Sequence, residues 1–261
     1  MSIWKDFEIN ATNYLNKNFG DIAEFFHQGE EDSTTPDILV NTSYCQYFIE
    51  AKDCPAQCGQ FVLLPNLNSF TFEYSRKNVN KYNEYAQIIM DFMNESFENF
   101  KEAGTAGKSI IFPRCQEVFS NWIIKTYASK GVRFIITNNF KILPLEKFYN
   151  AFEINATYRI KRSGSSDAGG RNQNIIIDYI ENNYSINNAF IEGKKIFVTS
   201  DVELHDSRFY INNTEYMISK RGTDLYEIRK LSNTFNANVI FSINLKNNFC
   251  GLTFDEFREI L

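Results

Sequence analysis

The residues best suited to chemistry lie in two short runs, Pro36-Asp37-Ile38-Leu39-Val40 and Phe48-Ile49-Glu50-Ala51-Lys52. Each is a strand-like stretch of branched and aromatic residues with a carboxylate near one end, and the second adds an ammonium two positions on. Side chains alternate along a strand, so Glu50 and Lys52 share a face and Ala51 turns away. If the two runs pair antiparallel through a turn at residues 41–43, Asp37 at the start of one lies level with the end of the other. Two carboxylates and one ammonium then converge. Two carboxylates are what a hard cation such as Mg2+ takes from a protein, with water and a substrate phosphate completing its shell. Such an ion polarises a phosphoryl oxygen and makes water a better nucleophile, while a nearby lysine orients that water or offsets charge building on the phosphate. These residue types suit the hydrolysis of a phosphodiester.

An acid two residues before a lysine carries no signal alone, because chance supplies about two in a chain of this composition. The sequence holds two. The other, Glu192-Gly193-Lys194, has no preceding Pro-Asp and no strand-like run before it. The informative feature is therefore the pair of runs and the elements that position them. Trp4, Phe7, Ala11, Tyr14 and Leu15 stand at helical spacing over residues 4–19, and Gly20 ends that segment. Strands are expected at 22–26, 37–40 and 46–51, with an acidic loop over 29–35, so the order is helix, strand, strand, strand.

In that order the segment resembles the PD-(D/E)xK nuclease superfamily and, within it, the type II restriction endonucleases. The resemblance covers about the first 60 residues and falls on Glu8, Asp37, Glu50 and Lys52. It implies that Asp37 and Glu50 are metal ligands, with the carbonyl of Ala51 a further one, and that Lys52 positions or activates the attacking water. Glu8 becomes a supporting acid that bonds water on the metal or holds the site together. Some members carry a glutamine shortly after the lysine. Gln57 and Gln60 both fall near that place, and Gln60 is taken as the candidate. The implied fold is α/β, a mixed sheet flanked by helices, and the implied cofactor is Mg2+. The implied partner is double-stranded DNA cut at a short sequence by a homodimer, with a separate DNA methyltransferase acting on the same site. A structure-selective repair nuclease or nickase, or a non-catalytic DNA-binding module on the same scaffold, are the rival readings.

The acidic balance at first opposes a nucleic-acid partner: 27 basic residues face 32 acidic ones, a net charge of -5. The distribution reverses that objection. Residues 1–60 hold three basic and ten acidic residues, whereas residues 101–172 hold twelve basic and five acidic. Acidic clusters hold cations and basic stretches meet phosphates. Within the basic stretch, Arg159, Lys161, Arg162, Ser163 and Ser165 run into a Ser/Gly-rich loop over 163–170, and Arg171-Asn172-Gln173 lies at its far end. Arginine reads guanine, Asn and Gln read adenine, and serine binds phosphate, so these eight are the candidate DNA contacts. Lys220-Arg221 and Arg229-Lys230 are weaker ones.

Other motifs fail. Gly104-Thr105-Ala106-Gly107-Lys108-Ser109 imitates a phosphate-binding loop, but position 102 is Glu where the motif needs glycine. Five cysteines with one close pair, Cys54 and Cys58, and two isolated histidines do not compose a zinc site. An odd cysteine count, no leader-like segment and no run of about 18 apolar residues lead to the expectation of a soluble, cytoplasmic protein without membrane contact.

Further along, one long helix is expected over 76–102, a turn over 54–59, a helix over 116–129 and strands at 132–137 and 141–145. Beyond residue 150 the texture becomes strands and turns. The domain expectation is a nuclease core over 1–150 and a β-rich part for DNA recognition or dimerisation over 151–261, either separate or extending the same sheet.

Overall fold

Apolar residues four apart wind the N-terminal segment into α1 (Ile3–Phe19), whose Ala11, Leu15 and Phe19 are buried with Phe7 packed beside them. The structure is a computed structural model describing residues 3–28, 35–162, 164–232 and 235–261. Most of the expected acidic loop, and the candidate Ser163, lie outside the described residues. Glu8 and Thr12 sit on the adjoining ridge of α1 and are also buried, so this helix presents one acid inward beside its apolar stripe.

Strands β1 (Ala23–His27), β2 (Ile38–Thr42) and β3 (Gln46–Lys52) follow in antiparallel sequence. The β2–β3 turn closes one residue later than expected. The Thr42 hydroxyl accepts the Cys45 N–H at 3.1 Å, while the Thr42 N–H donates to the Cys45 carbonyl at 3.0 Å. The chain then enters β4 (Ala56–Asn66), so residues 56–59 are strand and the turn is confined to 53–55. After β5 (Thr71–Tyr74) come α2 (Glu84–Glu95) and α3 (Phe97–Phe100) in place of the one long helix expected. Asparagine explains the shortening, because its amide competes with helical backbone bonds. Asn78 pairs with both backbone groups of Val62, at 2.7 and 3.0 Å. Asn83 caps α2 by accepting the N–H groups of Tyr85 and Ala86. Val79 and Tyr82, expected on an apolar helix face, are exposed.

Next come β6 (Lys108–Ser109), α4 (Cys115–Ala128), β7 (Val132–Thr137), β8 (Lys141–Pro144), α5 (Phe148–Ala151) and β9 (Phe152–Arg162). β6 pairs with β9 where a phosphate loop had been imitated. Gly107 is required there: its φ is 79°, and a Cβ would fall 2.6 Å from a methyl of Thr157.

β7 pairs parallel to β3 and β8 antiparallel to β7, giving a mixed five-stranded sheet in the order β1-β2-β3-β7-β8. α1 covers one face, and α4 packs on β7 from the other. β7 is buried at five of its six positions, the expected property of a strand covered on both sides. Trp122 on α4 stacks on Phe241, 4.6 Å between ring centroids, and lies 5.3 Å from Phe61. These rings tie α4 to a second sheet ordered β5-β4-β16-β9-β6, where β16 (Phe235–Leu245) returns from far along the chain. α7 (Phe254–Ile260) sets Phe257 against Phe19 and Phe134.

Two compact units result: one runs to Arg159 and resumes over Ala237–Leu261, and the other is Ile160–Asn236. The division differs from a boundary at 150 because β9 and β16 are neighbours in the first unit's sheet, so the final segment belongs with the beginning. The inserted unit consists of β10 (Ser165–Asp167), α6 (Gln173–Asn183), β11 (Asn188–Glu192), β12 (Lys195–Thr199), β13 (Arg208–Ile211), β14 (Thr214–Lys220) and β15 (Leu225–Leu231). It is an antiparallel sheet ordered β11-β12-β15-β14-β13, with its own core of Ile176 and Ile180 from α6 against Ile196, Val198, Ile218 and Ile228. The Ser/Gly stretch expected as a loop is partly strand, since β10 pairs with β15.

Candidate active site

Register places the acids. Ile38 pairs with Ile49, so Asp37 falls opposite Glu50, just outside the first β2 residue. Its backbone and side chain are both anchored: the carbonyl accepts the Gln28 N–H at 2.8 Å, and Oδ2 accepts the Ala51 N–H at 2.8 Å. Along β3, Ile49 and Ala51 join the apolar cluster under α1 while Glu50 and Lys52 face the other way. Lys52 Nζ lies 2.7 Å from Glu50 Oε1 and 3.6 Å from Asp37 Oδ2. Glu8, projecting from α1, is buried with one oxygen 3.3 Å from His27 Nε2 on β1.

The charges are unbalanced. Asp37 is 9% exposed, and burial pushes its carboxyl up to about 7, with the carboxylates of Glu50 and Glu8 adding to the rise against the opposing pull of Lys52. Burial alone would lower the Lys52 ammonium, but Glu50 and Asp37 outweigh it and hold Lys52 above its ordinary value. Glu50 and Asp37 face one lysine, Glu8 adds its field at Asp37, and the surplus is negative. Such crowding of hard oxygen donors could hold a small divalent cation, to which Asp37 and Glu50 could offer carboxylates and Ala51 its carbonyl. Among the described residues no three His, Cys, Asp or Glu side chains form a ligand set of their own. A two-carboxylate site, with water and substrate oxygens completing the shell, is the arrangement this cluster can offer.

Gln60 stands apart from this cluster. It is exposed on β4, its side-chain oxygen 3.5 Å from Gln57 Nε2, and no hydrogen bond among the described residues joins it to the acids. Cys58 and Tyr127 are neighbours of the site that no sequence pattern pointed to. Both are buried, with Sγ and the phenol oxygen 3.4 Å apart, and burial pushes the thiol up to about 12 against the pull of Lys52.

The candidate DNA contacts over residues 159–173 stand in different settings. Arg159 lies on β9, half-buried, with its Nε lacking a hydrogen-bond partner among the described residues. Lys161 is exposed near the end of that strand, and Arg162 ends it. Ser165 is committed internally, its hydroxyl and carbonyl both accepting from Arg229. Arg171 and Asn172 are exposed ahead of α6, and Gln173 Oε1 accepts the Gly170 N–H. The weaker candidates Lys220, Arg221 and Arg229 are held in ion pairs with Glu203, Glu227 and Asp167.

No protein-family model matches the chain, and no curated protein matches it. Among solved structures, HhaI endonuclease in complex with DNA is similar to it at a TM-score of 0.71 and 41% identity, over 100% of this chain and 97% of that one. Among the described residues no helix is long and apolar enough to cross a membrane. With that identity sustained over the full length, and a β-hairpin that gathers Asp37, Glu50 and Lys52, the chain belongs to the type II restriction endonucleases, a family of site-specific endodeoxyribonucleases.

Proposed function

We propose that the chain hydrolyses phosphodiester bonds of double-stranded DNA at a short sequence, with Asp37, Glu50 and the Ala51 carbonyl holding Mg2+ and Lys52 serving the attacking water. The observation that carries this is the convergence of Lys52 on Glu50 and Asp37 at 2.7 and 3.6 Å in a buried cluster of surplus negative charge. Mg2+, when bound, supplies Lewis-acid polarisation of the phosphoryl oxygen and eases deprotonation of water. The protein's own contribution is positional. The Ala51 N–H fixes the Asp37 carboxylate through Oδ2, and among the described residues no hydrogen bond is seen to Oδ1, the oxygen that would turn toward a ligand. Lys52 keeps its proton and donates toward water or the phosphate oxygen where charge accumulates. Glu8, steadied beside His27, adds negative potential that favours a divalent cation and supports its hydration.

DNA as partner is supported by the DNA-bound state of the similar endonuclease. The inserted unit, with Lys161, Arg162, Arg171 and Asn172 exposed or at strand and helix ends, is the proposed reader of sequence, and Arg159 at its root the proposed phosphate contact. Ser163, Ser165 and Gln173 are secondary contributors. One cluster cuts one strand, so a double-strand break at a palindrome calls for a homodimer, and the host's own sites call for a methyltransferase of the same specificity. Incubating the protein with a defined plasmid in Mg2+ and sequencing the fragment ends tests this reading. Discrete, reproducible double-strand ends are expected. Nicks alone, or fragments without a common sequence, would replace it with a nickase or a structure-selective nuclease.

A further inference from the structure

The parallel ladder between β3 and β7 ends at the pair Lys52 and Thr137, so the lysine sits at the last rung of its strand. Strand ends open readily, because their backbone bonds lack neighbours on one side. Beyond Thr137 the main chain of β7 cannot continue the ladder. It enters a 3-10 turn, Asn138–Phe140, in which Asn139 and Phe140 take φ of 60° and 54°. Side chains take over where the backbone turns away. Asn138 Oδ1 accepts the Cys54 N–H at 2.7 Å, and Asn138 Nδ2 donates to the Cys54 carbonyl at 2.8 Å and to Asp53 Oδ1 at 2.9 Å. The amide thus imitates the backbone of one more strand residue. The Thr137 hydroxyl, wholly buried, donates to the carbonyl of Lys52 itself at 2.7 Å.

We infer that Asn138 and Thr137 are positioning residues for Lys52: they extend the sheet artificially by one step, so that the backbone carrying the ammonium is an interior rung instead of a fraying end. The lysine side chain has four rotatable bonds, and its head group is useful only within a narrow range of the reacting phosphate. A displacement of about 1 Å in such a group can cost on the order of 100-fold in rate. Glu50 and Asp37 fix the ammonium end of the chain of bonds, and the Asn138–Thr137 clamp fixes the other. The inference rests on the assignment of Lys52 to the cleavage step.

The test is single-turnover cleavage of a pre-bound cognate duplex, started with Mg2+, alongside duplex affinity measured in Ca2+ and thermal unfolding. Asn138→Ala is expected to lower the cleavage rate constant by about 10- to 100-fold while affinity stays within about twofold. Thr137→Val, which keeps shape and removes the hydroxyl, is expected to slow cleavage by about 10-fold, and Thr137→Ser to restore it. A purely structural role would reduce the amplitude of the reaction, through fewer folded molecules, and leave the rate constant of the remainder unchanged. Wild-type rate constants for both Asn138→Ala and Thr137→Val would overturn the inference. If Asn138→Ala does not fold, the Thr137→Val and Thr137→Ser pair decides alone. Lys52→Ala, run in parallel, separates the two claims. If it cuts at the wild-type rate, the role of Lys52 itself is wrong; if it is inactive while the clamp variants cut normally, only the clamp is wrong.

Discussion

Two buried ionic clusters among the described residues, one in each unit, are built on opposite principles. In the inserted unit Glu227, 2% exposed, receives two guanidinium groups, Arg221 at 2.6 Å and Arg229 at 2.5 Å, and Arg229 also meets Asp167 at 2.6 Å. Burial works to raise the Glu227 carboxyl, but the hydrogen bonds of Arg229 and Arg221 prevail and hold it below its ordinary value. In the first unit Glu50 and Asp37 share one lysine with Glu8 nearby, and Asp37 is pushed the other way, up to about 7. A balanced cluster fulfils itself and has no need of a ligand. An unbalanced one is held in place by the surrounding fold and is poised for an external cation. Charge count alone does not separate them in the sequence. Pairing does.

The largest expected break in this comparison is chemical. Lys52→Ala should lower cleavage at saturating enzyme by at least about 100-fold while Ca2+-supported DNA binding persists, since a donor aimed at developing charge is typically worth that much. Quenched-flow cleavage with a parallel binding titration would show it, and a variant cutting at the wild-type rate would remove Lys52 from the mechanism. The matching change in the balanced cluster should have a different readout. Arg229→Ala leaves Glu227 short of a partner and is expected to cost about 3 kcal/mol of stability, without altering the cleavage rate of molecules that remain folded. Denaturant melts read the first quantity and active-fraction kinetics the second.

A smaller effect distinguishes the clusters by pH. Asp37 is raised, so its protonated form favours the folded state; its contribution is present below the ordinary carboxylate value and is lost as pH rises toward about 7. Glu227 is lowered, so its contribution is present above the ordinary value and is lost as pH falls toward the lowered one. On the proposed assignment of Asp37 as a Mg2+ ligand the ion competes with the proton there, and the rise in Tm on adding Mg2+ should therefore be larger at pH 8 than at pH 6. Calorimetry of the wild type and of Asp37→Asn, which should lose that difference, checks it. The smallest effect belongs to Gln60→Ala. With its side chain exposed and bonded to Gln57, Gln60 should tolerate truncation with cleavage within about twofold of wild type. A loss of tenfold or more would restore it to the site.

Much of this was legible in the sequence because it is local. A hairpin fixes the spacing of Asp37 from Glu50 and Lys52, strand alternation puts the latter two on one face, and four-residue spacing makes α1. Several of the misreadings share a physical origin, polar side chains that take backbone partners far away. Asn78 bonds β4 and Asn83 caps α2, so a helix that periodicity would start at 76 begins at Glu84. Asn138 bonds a residue 84 positions earlier. It is neither titratable nor part of any motif, and only the fold reveals what it touches. The division into units was hidden by a different long-range effect, backbone pairing, since β16 joins a sheet begun at Ala56.

The adjacency of β9 and β16 has a consequence for how such enzymes can be remade. The chain leaves the first unit on one strand and returns on its hydrogen-bonded neighbour, roughly 4.8 Å away across the sheet. Whatever is spliced between those two strands presents itself to the first unit as a tight loop, and the entropy of closing it grows only slowly with the length of the insert. The insert is in effect a cassette. Exchanging the segment between Arg159 and Ala237 for a differently shaped one whose ends lie equally close should leave the carboxylate hairpin undisturbed, making these two strands the natural suture for replacing the unit proposed to read sequence.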